Sequence, residues 1–310
     1  MPHDEQAALK QPIIILGAPR SGTTQLGAIF ASHTDVCYVE EPRLTWRYGN
    51  HGKSDMLGPQ DAREKVVRHI RHNFARRVLA SGRRRLAEKT PSNGLRVAFI
   101  DRVFPDCKFI HIIRNGVEAA LATHSLSETY ATGMHFTARR RLFERLAEVG
   151  PTGAPYYVGE MLRRAAPAPL RRVLGPNVWG PRIPGIEQMI RELDPLDVSC
   201  LQWRMCVELA CRDGRKLPPD RYLELRLEEL GQDSIRRVMR FCNLGEQDPV
   251  MEKLGRGYNR EQAARRLADA DPAQLDRVHR WVDPTMCWLE QTRGWGSPKT
   301  GTVEDTPDDP

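Results

Sequence analysis

One junction constrains this chain more than any other: the apolar run of residues 12–16, Pro-Ile-Ile-Ile-Leu, passes directly into Gly17-Ala18-Pro19-Arg20-Ser21-Gly22-Thr23-Thr24. A short continuous apolar run that ends at glycine reads as a strand with both faces covered, the kind found inside a parallel sheet. From Thr24 to Ser32, Leu26, Ile29 and Phe30 then fall at helical spacing. Strand, loop and helix in that order bring successive backbone N–H groups and a helix N-terminus around one point, which is the geometry that binds anions. Gly17 and Gly22 have the spacing of the G-x-x-x-x-G-K-[ST] phosphate loop, but Thr23 stands where the lysine belongs. That lysine reaches the β and γ phosphates of a nucleoside triphosphate. Its absence argues for a shorter set of anionic groups, with Arg20 supplying positive charge from within the loop.

The rest of the chain repeats the alternation. Strands are expected at 36–39, 85–88, 108–113 and 222–225. Helices are expected at 61–79, with Val66, Val67, Ile70, Phe74 and Val78 on one side, and at 94–104, 117–126, 198–211 and 227–242, with one or two more over 271–293. This order predicts an α/β fold: a central parallel sheet flanked by helices, entered through the strand-loop-helix. Residues 127–195 break the pattern with eight prolines, at 151, 155, 167, 169, 176, 181, 184 and 195. They are expected to form a mostly helical or irregular insertion that covers the acceptor side of a site. We expect one domain over 11–295, with residues 1–10 and 296–310 as disordered tails.

The chain has 310 residues and a formal net charge of +7, which suits an anionic ligand without saying which. No stretch approaches the ~20 apolar residues of a membrane span. The first ten residues carry no apolar signal core, so a cytoplasmic location is expected. Seven scattered cysteines make a poor disulfide framework. Cys206 and Cys211 lack the spacing and the histidine pair of a zinc site, so no metal is expected.

Four segments carry the main resemblance. The loop at 17–24 looks like the 5′-phosphosulfate loop of the sulfotransferases that use 3′-phosphoadenosine-5′-phosphosulfate (PAPS). The resemblance assigns Arg20, Ser21, Gly22, Thr23 and Thr24 to donor binding, with Arg20 also in catalysis. Glu40-Glu41-Pro42-Arg43 resembles the Glu-Glu-x-Arg segment of tyrosylprotein sulfotransferases, at the same 21-residue distance from the loop arginine to the second glutamate. Glu41 is then the general base, and the chemistry requires one because a hydroxyl is a weak nucleophile. Glu88-Lys89-Thr90-Pro91 is similar to the family segment whose lysine contacts the bridging and leaving oxygens. A fixed ammonium there stabilises charge that grows as the sulfuryl group departs.

Residues 109–116, Phe-Ile-His-Ile-Ile-Arg-Asn-Gly, resemble the family's 3′-phosphate strand and turn, which implies Arg114 as a bidentate phosphate ligand. The pattern departs at Ala122, where the family usually has serine; Thr123 and Ser125 do not transfer cleanly. Gly255-Arg256-Gly257 offers Arg256 as a second 3′-phosphate contact. Arg226-Leu227-Glu228-Glu229-Leu230 resembles the family's Arg-Tyr-Glu-Asp-Leu with Leu227 in place of tyrosine, and Trp179-Gly180-Pro181-Arg182 is a fainter match. His111 reads as a core histidine.

The resemblance implies a PAPS-dependent sulfotransferase. The sulfuryl group would pass by in-line displacement to a hydroxyl on a small molecule, glycan, lipid or natural product, leaving adenosine 3′,5′-bisphosphate, in a scheme that needs no metal. The alternatives are a kinase-like phosphotransferase, which the missing lysine disfavours, and a basic nucleic-acid-binding protein, which lacks an aromatic-and-basic recognition motif. Nothing in the sequence names the acceptor or the oligomeric state.

Overall fold

In the structure, a computed structural model, residues 3–132, 178–254 and 260–293 are described. The strands β1 (Ile13–Leu16), β2 (Val36–Glu40), β3 (Arg85–Lys89), β4 (Lys108–Ile113) and β5 (Tyr222–Arg226) form one sheet in the order β2-β3-β1-β4-β5. Every pairing is parallel, with Ile15 opposite both Lys89 and Ile110, Glu40 opposite Lys89, and Ile113 opposite Arg226. All four residues of β1 and all six of β4 are buried, as the continuous apolar runs require of strands with helices on both faces.

Because side chains alternate along a strand, β1 divides its residues between two cores. Ile13 and Ile15 pack with Leu26, Ile29 and Phe30 of the helix Thr23–Ser32 and with Ile235, Val238 and Met239 of the helix Gln232–Phe241. Ile14 and Leu16 pack on the opposite face with Trp46, Phe74 and Phe99. A third core joins the helices Gly116–Thr132, Pro195–Gly214 and Pro272–Arg293 around Trp203, Cys206 and Val282.

Local chemistry explains where elements begin and end. Asp194 caps the Pro195–Gly214 helix by accepting from the Leu196 N–H at 2.9 Å, and Pro195 occupies its first turn. The helix Glu64–Ser81 stops at Gly82, which takes φ 66°. The helix expected over 227–242 is divided into a 3-10 turn, Leu227–Glu229, and the helix Gln232–Phe241, because the extended Gly231 intervenes and binds the Ser234 hydroxyl through its N–H. Likewise the helix expected from 94 begins only at Val97, after a 3-10 turn over Pro91–Leu95.

The N-terminal residues expected as part of a tail carry the short helix His3–Ala8, followed by a fully buried Leu9 that joins the core with Phe74. The insertion is entered by the helix Gly116–Thr132 and left by the helix Ile186–Glu192; residues 133–177 lie outside the described residues. No helix among the described residues is long and apolar enough to cross a membrane.

The sheet order positions the site. From β1 the chain moves to the β2 edge, returns through β3 beside β1, and crosses to β4 on the other side of β1. Connections leaving the carboxyl ends of these strands therefore diverge, and the crevice between them is where open α/β sheets bind ligands.

Candidate active site

The loop after β1 needs glycine twice. A Cβ on Gly17 would come within 2.6 Å of the Ile112 carbonyl oxygen. At Gly22, where φ is 85°, a Cβ would collide with the Leu227 side chain. Arg20 also adopts a left-handed backbone, φ 63°, uncommon for a residue with a side chain. The loop is thereby folded tightly over the start of the Thr23–Ser32 helix, whose first N–H groups have no partner within the helix itself. Ser21 is completely buried, and its hydroxyl oxygen has no hydrogen-bond partner among the described residues. A buried polar atom left unmatched in a glycine-bearing loop fits a ligand that brings its own acceptors.

Glu41 and Lys89 meet beside this loop. Strand β2 ends at Glu40, and Glu41 turns into a left-handed conformation, φ 49°, held by its N–H donating to the Lys89 carbonyl at 2.8 Å. Lys89 ends β3 with its side chain buried. Its ammonium lies 3.0 Å from Glu41 Oε1, 3.0 Å from Glu40 Oε1 and 3.2 Å from the Thr24 hydroxyl. Arg43 Nη2 completes the group at 2.8 Å from Glu41 Oε2. Burial works against ionisation of Glu41, but the Arg43 guanidinium and the Lys89 ammonium outweigh it and hold the carboxyl below its usual range. Glu41 is therefore a carboxylate at neutral pH, with a buried cation on one oxygen and a half-exposed one on the other.

Arg114 sits at the other end of the loop, just beyond β4. Its Nη1 donates to the Arg20 carbonyl at 3.0 Å, and Nη2 and Nε reach Glu118 Oε2 at 2.9 and 3.1 Å. The Asn115 side chain caps the Gly116–Thr132 helix, accepting from the N–H groups of Val117 and Glu118, while its own N–H donates to Glu228 at 2.8 Å. Ala122 is buried; one residue on, the buried Thr123 hydroxyl donates to the Pro19 carbonyl at 3.4 Å. Thr123 thus braces the loop from the helix that carries the family's serine position. Hydrogen bonds thus join Glu41, Lys89 and Thr24 in one group and Arg20 and Arg114 in a second, both around the carboxyl ends of the sheet strands. Arg256 lies outside the described residues.

Residues 12–148 match the family model described as "Sulfotransferase family". Over this span, less than half of its length, the chain is similar to the sulfotransferase family. A putative protein-tyrosine sulfotransferase of Caenorhabditis briggsae is 32% identical over 127 residues, 38% of this chain and 44% of that protein. The nodulation protein NoeE of Sinorhizobium fredii is 28% identical over 142 residues, 41% of this chain and 33% of that protein. An uncharacterized protein of Aquifex aeolicus is 30% identical over 128 residues, 37% and 17% respectively. The chain spans less than half the length of each of these relatives. Among solved structures, the sulfotransferase domain of the Synechococcus PCC 7002 olefin synthase gives a TM-score of 0.48 at 18% identity, covering 93% of this chain and 97% of that one.

The matched segment, residues 12–148, holds every site residue singled out from sequence except Arg256. Three contributors escaped that reading: Glu40 as a second carboxylate on Lys89, Thr123 against the loop, and Glu228 at the Asn115 turn. Each lay in or beside a segment with a resemblance, but the resemblance gave it no role; in the Arg226–Leu230 segment, Leu227 proves to press on Gly22. Away from the site, ligand atoms of His111, Cys211 and Glu224 lie within 4.8 Å of one another in the interior. Both Glu224 oxygens accept from Arg215, and the Tyr222 hydroxyl bonds His111 Nδ1 at 2.7 Å. Burial depresses His111 to about 4, so it is neutral at physiological pH.

Proposed function

We propose that this protein is a PAPS-dependent sulfotransferase acting on a hydroxyl acceptor. The observation that carries the reading is the convergence of Lys89 Nζ on Glu41 Oε1 at 3.0 Å and Thr24 Oγ1 at 3.2 Å, beside the loop that begins at Gly17. The arrangement puts a base, a cation and an anion-binding helix start within one hydrogen-bonded group, the set that sulfuryl transfer needs.

In this scheme the loop N–H groups and the hydroxyls of Ser21, Thr23 and Thr24 hold the 5′-phosphosulfate, and Arg114 pairs with the 3′-phosphate in the place Glu118 now takes. Arg256 would add a second contact there. Glu41 accepts the proton of the acceptor hydroxyl as its oxygen attacks sulfur. Lys89 and Arg20 stabilise charge on the bridging oxygen as the S–O bond to the 5′-phosphate breaks, and adenosine 3′,5′-bisphosphate leaves. Positioning and electrostatics then supply most of the acceleration, as in phosphoryl transfer. The acceptor is a hydroxyl compound whose class is open. The free cysteines, six of them buried, support a reducing compartment and hence the cytoplasm.

Thermal denaturation tests the donor directly. PAPS or adenosine 3′,5′-bisphosphate is expected to raise the melting temperature by mass action, and ATP with Mg²⁺ to leave it unchanged. Stabilisation by ATP with Mg²⁺ alone would replace this reading with the phosphotransferase one.

A further inference from the structure

On the face of β3 opposite Lys89, Glu88 is completely buried. Its carboxylate accepts hydrogen bonds from the Thr90 hydroxyl and the Asn93 side-chain amide. Those two donors lie just before and within the Pro91–Leu95 turn, and neither residue has any exposed surface. Asn93 Oδ1 in turn accepts from Arg96 Nε at 3.0 Å and Nη2 at 2.8 Å, and the Ser92 hydroxyl accepts from Nη2 at 3.0 Å.

The chain of contacts continues outward. Arg96 Nη1 is 3.7 Å and Arg47 Nη1 3.5 Å from Asp55 Oδ1. Asp55 exchanges two hydrogen bonds with Arg182, its N–H donating to the Arg182 carbonyl at 2.7 Å and its Oδ2 accepting from the Arg182 N–H at 2.8 Å. Around Glu88, Thr90, Asn93 and Ser92 a buried hydrogen-bonded network of this kind admits few alternative geometries, because any shift leaves a polar group without a partner in a dry interior.

We propose that Glu88 is the positioning residue of this site: acting through Thr90 and Asn93, it fixes the turn that sets the Lys89 peptide, and that one peptide orients both reactive groups. The Lys89 side chain carries the ammonium, and the Lys89 carbonyl holds the Glu41 N–H at 2.8 Å. Loosening the turn therefore moves the cation and the carboxylate together. Asp55 ties the same turn to Arg182, at the edge of the segment that follows residues 133–177. The assignment of Lys89 and Glu41 to catalysis rests on the proposed function; their joint placement by Glu88 does not.

The test reads Lys89 in the free protein. With lysines labelled by ¹³C at Cε, the Lys89 signal is the one missing in Lys89→Arg, and its burial between Glu40, Glu41 and Thr24 sets it apart from the solvated lysines. Thr90→Val removes one donor to Glu88 at nearly constant shape, and Asn93→Ala removes the other, which covers the case in which Thr90→Val does not fold. Each is expected to shift the Lys89 signal toward the solvated group, and Thr90→Ser to keep it in place. An unmoved signal in the folded variants, or a wild-type signal already among the solvated lysines, would overturn the proposal.

Nucleotide titrations separate the two readings. Thr90→Val is expected to weaken adenosine 3′,5′-bisphosphate about 10-fold, the scale of one charge-assisted hydrogen bond, while adenosine 3′-monophosphate changes less than about 2-fold. Equal weakening of both would mean a general effect on folding and would overturn positioning. If the wild-type protein binds neither nucleotide, the donor reading falls and the lysine signal still decides the role of Glu88.

Discussion

Lys89 and Glu41 are joined twice, by an ion pair of 3.0 Å between Nζ and Oε1 and by the Glu41 N–H donating to the Lys89 carbonyl at 2.8 Å. The backbone bond fixes where the carboxylate can go, and the ion pair fixes its charge state. In the proposed mechanism Glu41 is the base, and a base tethered in this way keeps its geometry when its charge is removed, which makes its contribution separable from binding.

Replacement of Glu41 by Gln preserves the shape and removes the proton acceptor. Turnover of PAPS with a simple phenol is expected to fall by about 10²–10⁴, the usual contribution of a general base. Affinity for adenosine 3′,5′-bisphosphate, measured by calorimetry, should stay close to wild type, since the proposed donor contacts lie on the loop and Arg114. Unchanged turnover would remove Glu41 as the base.

The pH profile follows from the charges around the same carboxyl. Against the effect of burial, Arg43 and Lys89 together hold Glu41 below the usual carboxylate range, so the proposed base is deprotonated down to that range. Arg43→Met takes away the half-exposed cation. Glu41 should then protonate at higher pH, and the acid limb of kcat/KM should move upward, so that the ratio of activity at pH 5 to that at pH 8 falls in the variant relative to wild type. A limb that stays in place would show that Arg43 does not tune the base.

Asp55 predicts a stability effect. It is buried and lies between two buried guanidiniums, Arg47 and Arg96. Asp55→Ala deletes the negative charge and leaves both positive charges in the interior, a change expected to cost about 3–5 kcal/mol in urea unfolding. A loss below about 1 kcal/mol, the level of a surface pair, would show that Asp55 does not carry this charge balance.

The strongly periodic and continuously apolar segments were readable because their signal is local. Ile13–Leu16 and Lys108–Ile113 had to be covered strands, and each is buried throughout. Where local chemistry competed, the boundaries moved: Gly231 divided an expected helix, and the Glu88 carboxylate binds the chain ahead of Val97 as a 3-10 turn before that helix can start. Leu9 lay inside a polar decapeptide and gave no periodic signal, yet the apolar surface around Phe74 drew it into the core.

By itself the sequence determined the type of each site residue and the spacing along the chain that makes a site conceivable: glycines at 17 and 22, the carboxylate at 41, the ammonium at 89 and the guanidinium at 114. Only the tertiary structure decided which of these groups touch. A parallel sheet in the order β2-β3-β1-β4-β5 brings the ends of β2 and β3 side by side, so residues 48 positions apart share a hydrogen bond. The same pairing gives Lys89 its second carboxylate, Glu40, and gives Glu88 its buried role on the other face. Those facts depend on register and on which face a side chain occupies, and both are set by packing between segments far apart in sequence, beyond what any single stretch of residues encodes.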